Sequence, residues 1–187
     1  QYISSKSIGD ALAARLEEEN GPEIIIVLPQ ETSEWLEQVT MAVLRSRLLR
    51  RLRAVDRFGR LHIYYPVIGG DNIQLRIHAK LCIVDDKLVR IGSANLNNRS
   101  MGLDTECDLA IEASESATGQ AITNLRHRLV AEHLGVTHEK VAEQFAAEQS
   151  LARAIENLRG NGRTLQTLDG TVSESLDGMV PDSALID

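Results

Sequence analysis

The sequence contains few cysteines, few aromatic residues and no long apolar run, and each shortage excludes a class of protein. Two cysteines in 187 residues are too few for a disulfide framework, so we expect a reduced compartment. The longest apolar run, residues 24–28, is only as long as a β-strand, whereas a transmembrane helix needs roughly 18 residues. Charged residues interrupt the apolar ones near the start, so no signal peptide is predicted. We expect a protein that is cytoplasmic or peripheral at a membrane.

The net charge is negative and unevenly distributed along the chain. Residues 1–110 carry 14 basic and 15 acidic side chains, whereas residues 111–187 carry 6 and 12, out of a formal net charge of −7. Only six side chains are aromatic, which leaves little for the base stacking of a single-strand binding platform. The acidic C-terminal third and the scarcity of aromatics together disfavour a nucleic-acid partner.

A local cluster of arginines runs against this acidic balance. Residues 41–60 hold seven arginines and one acidic residue, Asp56. Arg50, Arg53 and Arg57 share one face of a predicted helix, and a local basic patch can meet an anionic partner despite negative net charge. Three interpretations stay open: a solvated or lobe-contacting face, a surface for lipid headgroups at a membrane, and a surface for nucleic-acid phosphates.

Apolar periodicity predicts an α/β fold with a mixed β-sheet sandwiched between helices. A strand that begins at Leu61 is expected to be broken by Pro66, and the Gly-, Ser-, Thr- and Asp-rich segment from residue 160 is expected to form a flexible tail. The predicted helices cover residues 7–19, 32–55, 117–134 and 138–159, and the predicted strands cover residues 23–28, 61–65, 73–84, 88–92 and 106–111.

The predicted hairpin at residues 73–92 contains the side chains best suited to a catalytic site. Alternation along a strand sends the odd, apolar positions inward and projects His78 and Lys80 together from the other face. If the strands pair about a tight turn at residues 85–87, facing residue numbers sum to about 172, so Lys80 faces Gly92. His78 would then face the region of Ser93, whose hydroxyl can donate a hydrogen bond. An imidazole beside an ammonium can attack or hold an anionic phosphoryl group.

The same geometry separates Asp85 from this chemistry. Asp85 lies seven residues after His78, which is about 23 Å along an extended strand. We therefore expect Asp85 to shape the turn through an Asx-type hydrogen bond.

These residues carry a resemblance to a known family. The run RIHAKLCIVDDKLVRIGSANLNNRSM (76–101) resembles the signature of the phospholipase D superfamily, in which His-x-Lys, four residues, Asp, six residues and Gly-Ser-x-Asn follow one another. The likeness covers about residues 1–135, which would form one lobe of a phospholipase D-like fold, followed by a helix at residues 136–159. The six signature positions are His78, Lys80, Asp85, Gly92, Ser93 and Asn95.

The resemblance implies a phosphohistidine mechanism without a metal or other cofactor. His78 would act as the nucleophile or the general acid, Lys80 and Asn95 would bind the phosphate, and Ser93 would support that site. Glu106 matches the acid that orients the histidine through its other ring nitrogen. The implied reaction is cleavage or exchange of phospholipid headgroups.

The chain contains one copy of a motif that the family uses in pairs. Its first residues, Gln1-Tyr2, also resemble the end of the strand that precedes the second motif, so we expect the C-terminal lobe of a longer enzyme whose N-terminal lobe is missing here. Two alternatives stay open. One is a metal-independent nuclease that works as a homodimer, and the other is a non-catalytic lobe for assembly or membrane docking.

Overall fold

The computed structural model of the chain describes residues 3–30, 35–69, 73–170 and 177–178, with the backbone alone at residues 35–39 and 41. Helices and strands alternate through this part of the chain, and the strands form a four-stranded mixed sheet and a three-stranded antiparallel sheet. The predicted α/β class is confirmed. No helix in the described segments is long and apolar enough to cross a membrane.

The chain divides into two compact units. Unit 1 contains Gln1–Tyr64, Asn95–Thr105 and Thr167–Asp187, and unit 2 contains Tyr65–Ala94 and Glu106–Gln166.

Unit 1 is built on two packed helices. α1 (Lys6–Glu17) packs against α2 (Trp35–Val55), near the predicted bounds of both helices. The predicted start of the second helix, at residue 32, lies outside the described residues. The interior of this unit is formed by buried leucine and valine side chains that include Leu16, Val43, Leu48, Leu49 and Leu52.

A parallel strand pair completes the described regular structure of unit 1, together with a short helix, α3 (Asn98–Gly102). β1 (Ile24–Val27) pairs with the first half of β2 (Leu61–Ile68), from Ile24 opposite Leu61 to Val27 opposite Tyr64. The expectation that Pro66 breaks the second strand is wrong, because β2 continues to Ile68. Proline has no N–H to donate, but residue 66 lies between the ladders formed by residues 61–64 and 67–68, and its carbonyl still accepts from Leu75 N at 3.0 Å.

Unit 2 carries the motif hairpin. The end of β2 pairs with β3 (Ile73–Gln74), and a separate sheet has the order β4 (Lys80–Val84), β5 (Leu88–Gly92), β6 (Asp108–Glu112). The predicted single strand at 73–84 is wrong at residues 75–79, which belong to no strand. Only two residues, Ile73 and Gln74, pair with β2 before the chain leaves that sheet and enters the other.

Three helices follow β6 in unit 2. α4 (Ser116–Leu134) agrees with its predicted bounds, but the helix predicted at 138–159 is two helices, α5 (His138–Glu148) and α6 (Leu151–Leu158). The break lies at Gln149, whose φ of 53° is left-handed and ends the helix. Ser150 then accepts a hydrogen bond from Arg153 N at 3.1 Å and begins the next helix.

The segment predicted as a flexible tail begins with a strand. β7 (Arg163–Thr167) pairs with β2, and Leu165 in it is fully buried. The expectation of a tail from residue 160 is therefore wrong for this stretch. The alternation of apolar and polar residues over a five-residue strand is too short to be recognised within a polar segment.

Candidate active site

His78 and Lys80 are in direct contact. The Lys80 ammonium nitrogen lies 3.0 Å from His78 Nε2, and it also donates to the His78 carbonyl oxygen at 3.0 Å. His78 is exposed and precedes β4 by two residues, whereas Lys80 is the first residue of that strand. The predicted proximity of the imidazole and the ammonium is therefore present. Because His78 lies outside the strand, the alternation of side chains along a strand is not its cause.

Lys80 is a buried cation without a carboxylate in ion-pairing contact. Its relative exposure is 8%, and no acidic oxygen of the described residues lies within 4.0 Å of the ammonium. Burial lowers the pKa of Lys80, and the charge of Glu106 raises it in part. A lysine is seldom buried without a partner, because removing its charge from water is unfavourable. An anion that entered this place would supply the missing negative charge.

The predicted hairpin register is confirmed. Every pair of the β4–β5 ladder sums to 172, from Lys80 opposite Gly92 to Val84 opposite Leu88. The ladder begins at Lys80, so His78 has no partner in it. Asp85 lies in the turn with a left-handed φ of 51°, and its carbonyl accepts a hydrogen bond from Arg126 at 3.2 Å. Asp85 lies in the turn as expected, but within the described residues its side chain makes no Asx-type hydrogen bond, so that part of the expectation is not met.

Gly92 allows an unusually close approach of two strands. A Cβ atom added to Gly92 would lie 2.6 Å from the Cα atom of Asp108 on β6, its partner across the ladder. The Asp108 carboxylate is held by Arg90 at 2.6 Å and by the backbone N–H of Ala94 at 3.3 Å. Lys80, Gly92 and Asp108 thus form one row across three strands. A side chain at residue 92 would force this row apart.

Asp108 and Arg90 were not singled out from the sequence. The signal that could have found them is the register itself, which places Arg90 opposite Ala110 and Gly92 opposite Asp108 on neighbouring positions of one sheet face. This register requires that β5 pairs with β6, and the β4–β5 hairpin does not predict that pairing.

Ser93 and Glu106 form a second hydrogen-bonded pair in unit 2. The Ser93 hydroxyl donates to Glu106 Oε2 at 2.5 Å and accepts from the N–H of Cys107 at 2.9 Å. The Ser93 N–H donates to the Cys107 carbonyl at 3.1 Å, so the backbone and the side chain of Ser93 are both held. Glu106 is half-buried, and within the described residues its hydrogen bond is with Ser93 and not with His78.

Asn95 begins the unit 1 segment Asn95–Thr105, while His78, Lys80, Ser93 and Glu106 belong to unit 2. Asn95 is half-buried. Its predicted role at the phosphate stays a prediction.

One cavity of unit 2 lies apart from the motif residues. Its volume is about 420 Å³, and α4, the start of α5 and β7 contribute its lining, with Arg128, Glu132, His138 and Arg163 as its polar groups. Glu132 already pairs with Arg163 at 2.8 Å. This cavity does not include the motif residues, whereas the buried ammonium in contact with an imidazole lies on the β4–β5 hairpin and is the stronger chemical signal.

The fold class and the histidine–lysine contact define an α/β protein with a buried cation beside an imidazole. Comparison with known proteins gives the family. The family model described as "Cardiolipin synthase, PLD-like domain" matches residues 1–129. This match covers more than half of the chain, and the chain therefore belongs to the family of phospholipase D-like domains.

Several phospholipases D are similar to parts of the chain. "Phospholipase D alpha 1" of Spuriopimpinella brachycarpa is 40% identical over 74 residues, which cover 35% of this chain and 9% of that protein. "Phospholipase D zeta 2" of Arabidopsis thaliana is 35% identical over 91 residues, 42% of this chain and 8% of that protein. "Phospholipase D" of Phytophthora infestans is 33% identical over 81 residues, which cover 37% of this chain and 4% of that protein. The matched regions span less than a tenth of these relatives.

Proposed function

We propose that the chain supplies one half of the active site of a phospholipase D-type enzyme that cleaves or exchanges phospholipid headgroups. The observation that carries the proposal is the buried Lys80 ammonium, which touches His78 and has no carboxylate in ion-pairing contact. A phosphodiester carries one negative charge and would compensate that ammonium. The similarity to proteins named phospholipase D supports a phospholipid as the substrate.

The proposed reaction proceeds in two displacements at phosphorus. In the first, a ring nitrogen of one histidine attacks phosphorus, a nitrogen–phosphorus bond forms, and the bond from phosphorus to the headgroup oxygen breaks. The leaving oxygen takes a proton from a second histidine. In the second, water or an alcohol returns its proton to that second histidine and attacks phosphorus, and the nitrogen–phosphorus bond breaks. Covalent catalysis of this kind divides one difficult step into two easier ones.

The remaining motif residues receive supporting roles in this proposal. Lys80 and Asn95 bind the phosphate oxygens, and Ser93 supports that site. Glu106 orients His78 through its second ring nitrogen when substrate is bound, a common arrangement for a catalytic histidine. The hydrogen bond from Ser93 holds the Glu106 carboxylate in the meantime.

A single motif supplies one histidine, and one imidazole cannot act on both sides of phosphorus at once. We propose that the second histidine comes from a further lobe of a longer protein or from a second copy of this chain. The small share of each relative that the chain matches supports the first of these. General acid catalysis typically contributes about 10²–10⁴-fold in rate, so a monomer of the chain should be slower than the complete site by at least that factor.

The test is a paired measurement of size and activity on the 187-residue chain and on a longer protein that supplies a second motif. We expect choline or ethanolamine release from phospholipid vesicles by the longer protein, undiminished by exhaustive chelation, and almost none from the monomeric chain. Full activity from a demonstrated monomer would overturn the two-histidine proposal. Cleavage of plasmid DNA with intact phospholipid would favour the nuclease, and inactivity of the longer protein toward both would favour a non-catalytic lobe.

A further inference from the structure

We infer that Lys80 fixes the tautomer of His78 in the free chain, so that the ring proton lies on Nδ1 and the ammonium covers the lone pair of Nε2. The inference deepens the proposed function, because it describes the state in which the histidine waits for its substrate. It makes Lys80 a positioning residue for His78 in addition to the proposed phosphate ligand.

The first step of the argument is the donor count of lysine. A lysine ammonium has three N–H donors and no acceptor, so the ring nitrogen 3.0 Å from it must accept. A neutral imidazole that accepts at Nε2 carries its proton on Nδ1. A protonated ring would instead point a second N–H at the ammonium, which is unfavourable.

The second step is that the ammonium is held where it stands. Its other hydrogen bond goes to the backbone carbonyl of His78 at 3.0 Å, so both acceptors belong to the same residue. Lys80 is buried, and a buried side chain has few other positions for its head group. Burial lowers the pKa of Lys80 and the Glu106 charge offsets part of that effect; in its charged form the lysine has no lone pair to offer to a ring N–H.

The third step is the partner count of the ring. Within the described part of the chain, the Lys80 ammonium is the hydrogen-bond partner of the His78 ring, and Glu106 accepts from Ser93. The tautomer in the free chain is therefore set by a donor at Nε2 and not by a carboxylate at Nδ1. A carboxylate that later approached Nδ1–H would select the same tautomer, so the two influences act in one direction.

The consequence is a histidine that is correctly protonated but covered. Nε2 keeps its lone pair, yet the ammonium occupies that lone pair until another acceptor competes for it. A phosphate oxygen is a stronger acceptor for an ammonium than a neutral ring nitrogen, because a hydrogen bond between two charged groups is stronger.

The tautomer is measured directly by NMR of the chain with ¹⁵N-labelled histidine, at a mildly alkaline pH where an ordinary imidazole is neutral. We expect the Nδ1–H signature for His78 in the wild type, its loss in Lys80→Met, and its retention in Lys80→Arg, whose guanidinium also only donates. Lys87→Met is the matched control, because Lys87 is exposed in the turn and the charge change is the same. An Nε2–H signature in the wild type, or an unchanged signature in Lys80→Met, would overturn the inference.

The covering of Nε2 is measured by the rate at which diethylpyrocarbonate modifies His78, followed by mass spectrometry. We expect Lys80→Met to react about tenfold faster than the wild type, the factor that loss of a charged hydrogen bond would give, and Lys87→Met to react at the wild-type rate. Equal rates in all three proteins would refute the covering. Neither experiment uses a phosphodiester or needs turnover, so failure of the proposed function would leave this result standing, and the reverse also holds.

Discussion

Two regions of the molecule treat their basic side chains in opposite ways. The arginines of α2 are compensated within the chain: Arg47 and Arg50 each hold the Asp177 carboxylate at 2.6 Å, and Arg53 donates to the Leu168 carbonyl at 2.7 Å. At the motif hairpin, Lys80 is buried beside an imidazole and has no carboxylate in contact. In the denser cluster of charge, Arg47 and Arg50 thus already have a carboxylate partner within the chain.

This difference teaches that the density of charge in a sequence does not by itself mark a ligand site. The arginine cluster left three interpretations open, and in the structure three of its arginines, Arg47, Arg50 and Arg53, hold Leu168, Asp169 and Asp177 within unit 1. Arg57, expected on the same helix face, lies beyond the end of α2 at Val55. The lone lysine is the better indication of a ligand, since an uncompensated buried charge is unfavourable without one.

The largest effect expected is on the chemistry of the motif. His78→Ala should lower turnover by at least about 10³-fold in a longer protein or assembly that completes the site, because it removes a nucleophile or a general acid. The melting temperature should stay close to the wild-type value, because His78 is exposed and outside the ladder. Turnover within tenfold of wild type would refute the placement of the site on this hairpin.

Lys80→Met is expected to change activity and stability in opposite directions. Turnover should fall about 10²-fold or more with the loss of a charged contact to the phosphate, yet the chain should unfold at a higher temperature. Because the pKa of Lys80 is lowered in the folded state, the penalty for its charge is full below the folded pKa and disappears as pH rises through the folded and then the unfolded value. The stability gain of the variant should shrink accordingly at alkaline pH. A melting temperature below wild type at neutral pH would contradict an uncompensated charge.

Gly92→Ala tests the close approach of β5 and β6. A methyl group 2.6 Å from the Asp108 Cα atom must separate two backbones, and overpacking of this kind costs about 1–3 kcal/mol. Urea unfolding would measure it. Gly102→Ala is the control, since nothing lies within 4 Å of its added Cβ atom. Equal stability of the two variants would show that the strands do not approach this closely.

Asp177→Asn removes the carboxylate that pairs with Arg47 and Arg50. The Arg50 and Arg47 guanidinium groups lower the pKa of Asp177, so its stabilising contribution is present above the unfolded pKa, about 3.9, and is lost as pH falls through the folded value. We expect a small decrease in melting temperature at neutral pH that vanishes in acid. Asp169→Asn should change less, because Arg53 also donates to backbone carbonyls. A larger effect from Asp169→Asn would contradict this anchoring.

Asp85→Asn is expected to have the smallest effect. Asparagine tolerates the left-handed φ of 51°, so turnover should be kept and the melting temperature should fall slightly, as for a local change in a turn. Loss of turnover at an unchanged melting temperature would mean that Asp85 takes part in the chemistry and that the separation argument fails.

Much of the motif geometry could be predicted from local rules. The turn at residues 85–87 determines the register of an antiparallel hairpin, so Lys80 opposite Gly92 follows from counting. The fold class followed from the alternation of strands and helices. The strand at 73–84 could not be divided correctly, because apolar alternation continues through residues 75–79 although the chain changes sheets there.

Helix and tail boundaries were missed for a different reason. Nothing in the periodicity of residues 138–159 marks Gln149, since a left-handed residue that is not glycine is uncommon and is held by the structure around it. Leu165 and its strand lie in a polar stretch, and only pairing with β2 makes them part of a core.

The sequence by itself determined the family signature, the hairpin register and the identity of the residues that could do chemistry, because these depend on spacing along one strand and one turn. Tertiary structure alone decided which charges are free to bind a ligand. Arg47 and Arg50 of α2 meet an acid that lies over 120 residues away, Asp177, whereas the Lys80 ammonium contacts His78 and is buried. Whether a charge has a partner depends on which distant segments pack beside it, and the spacing of residues along the chain does not predict that packing.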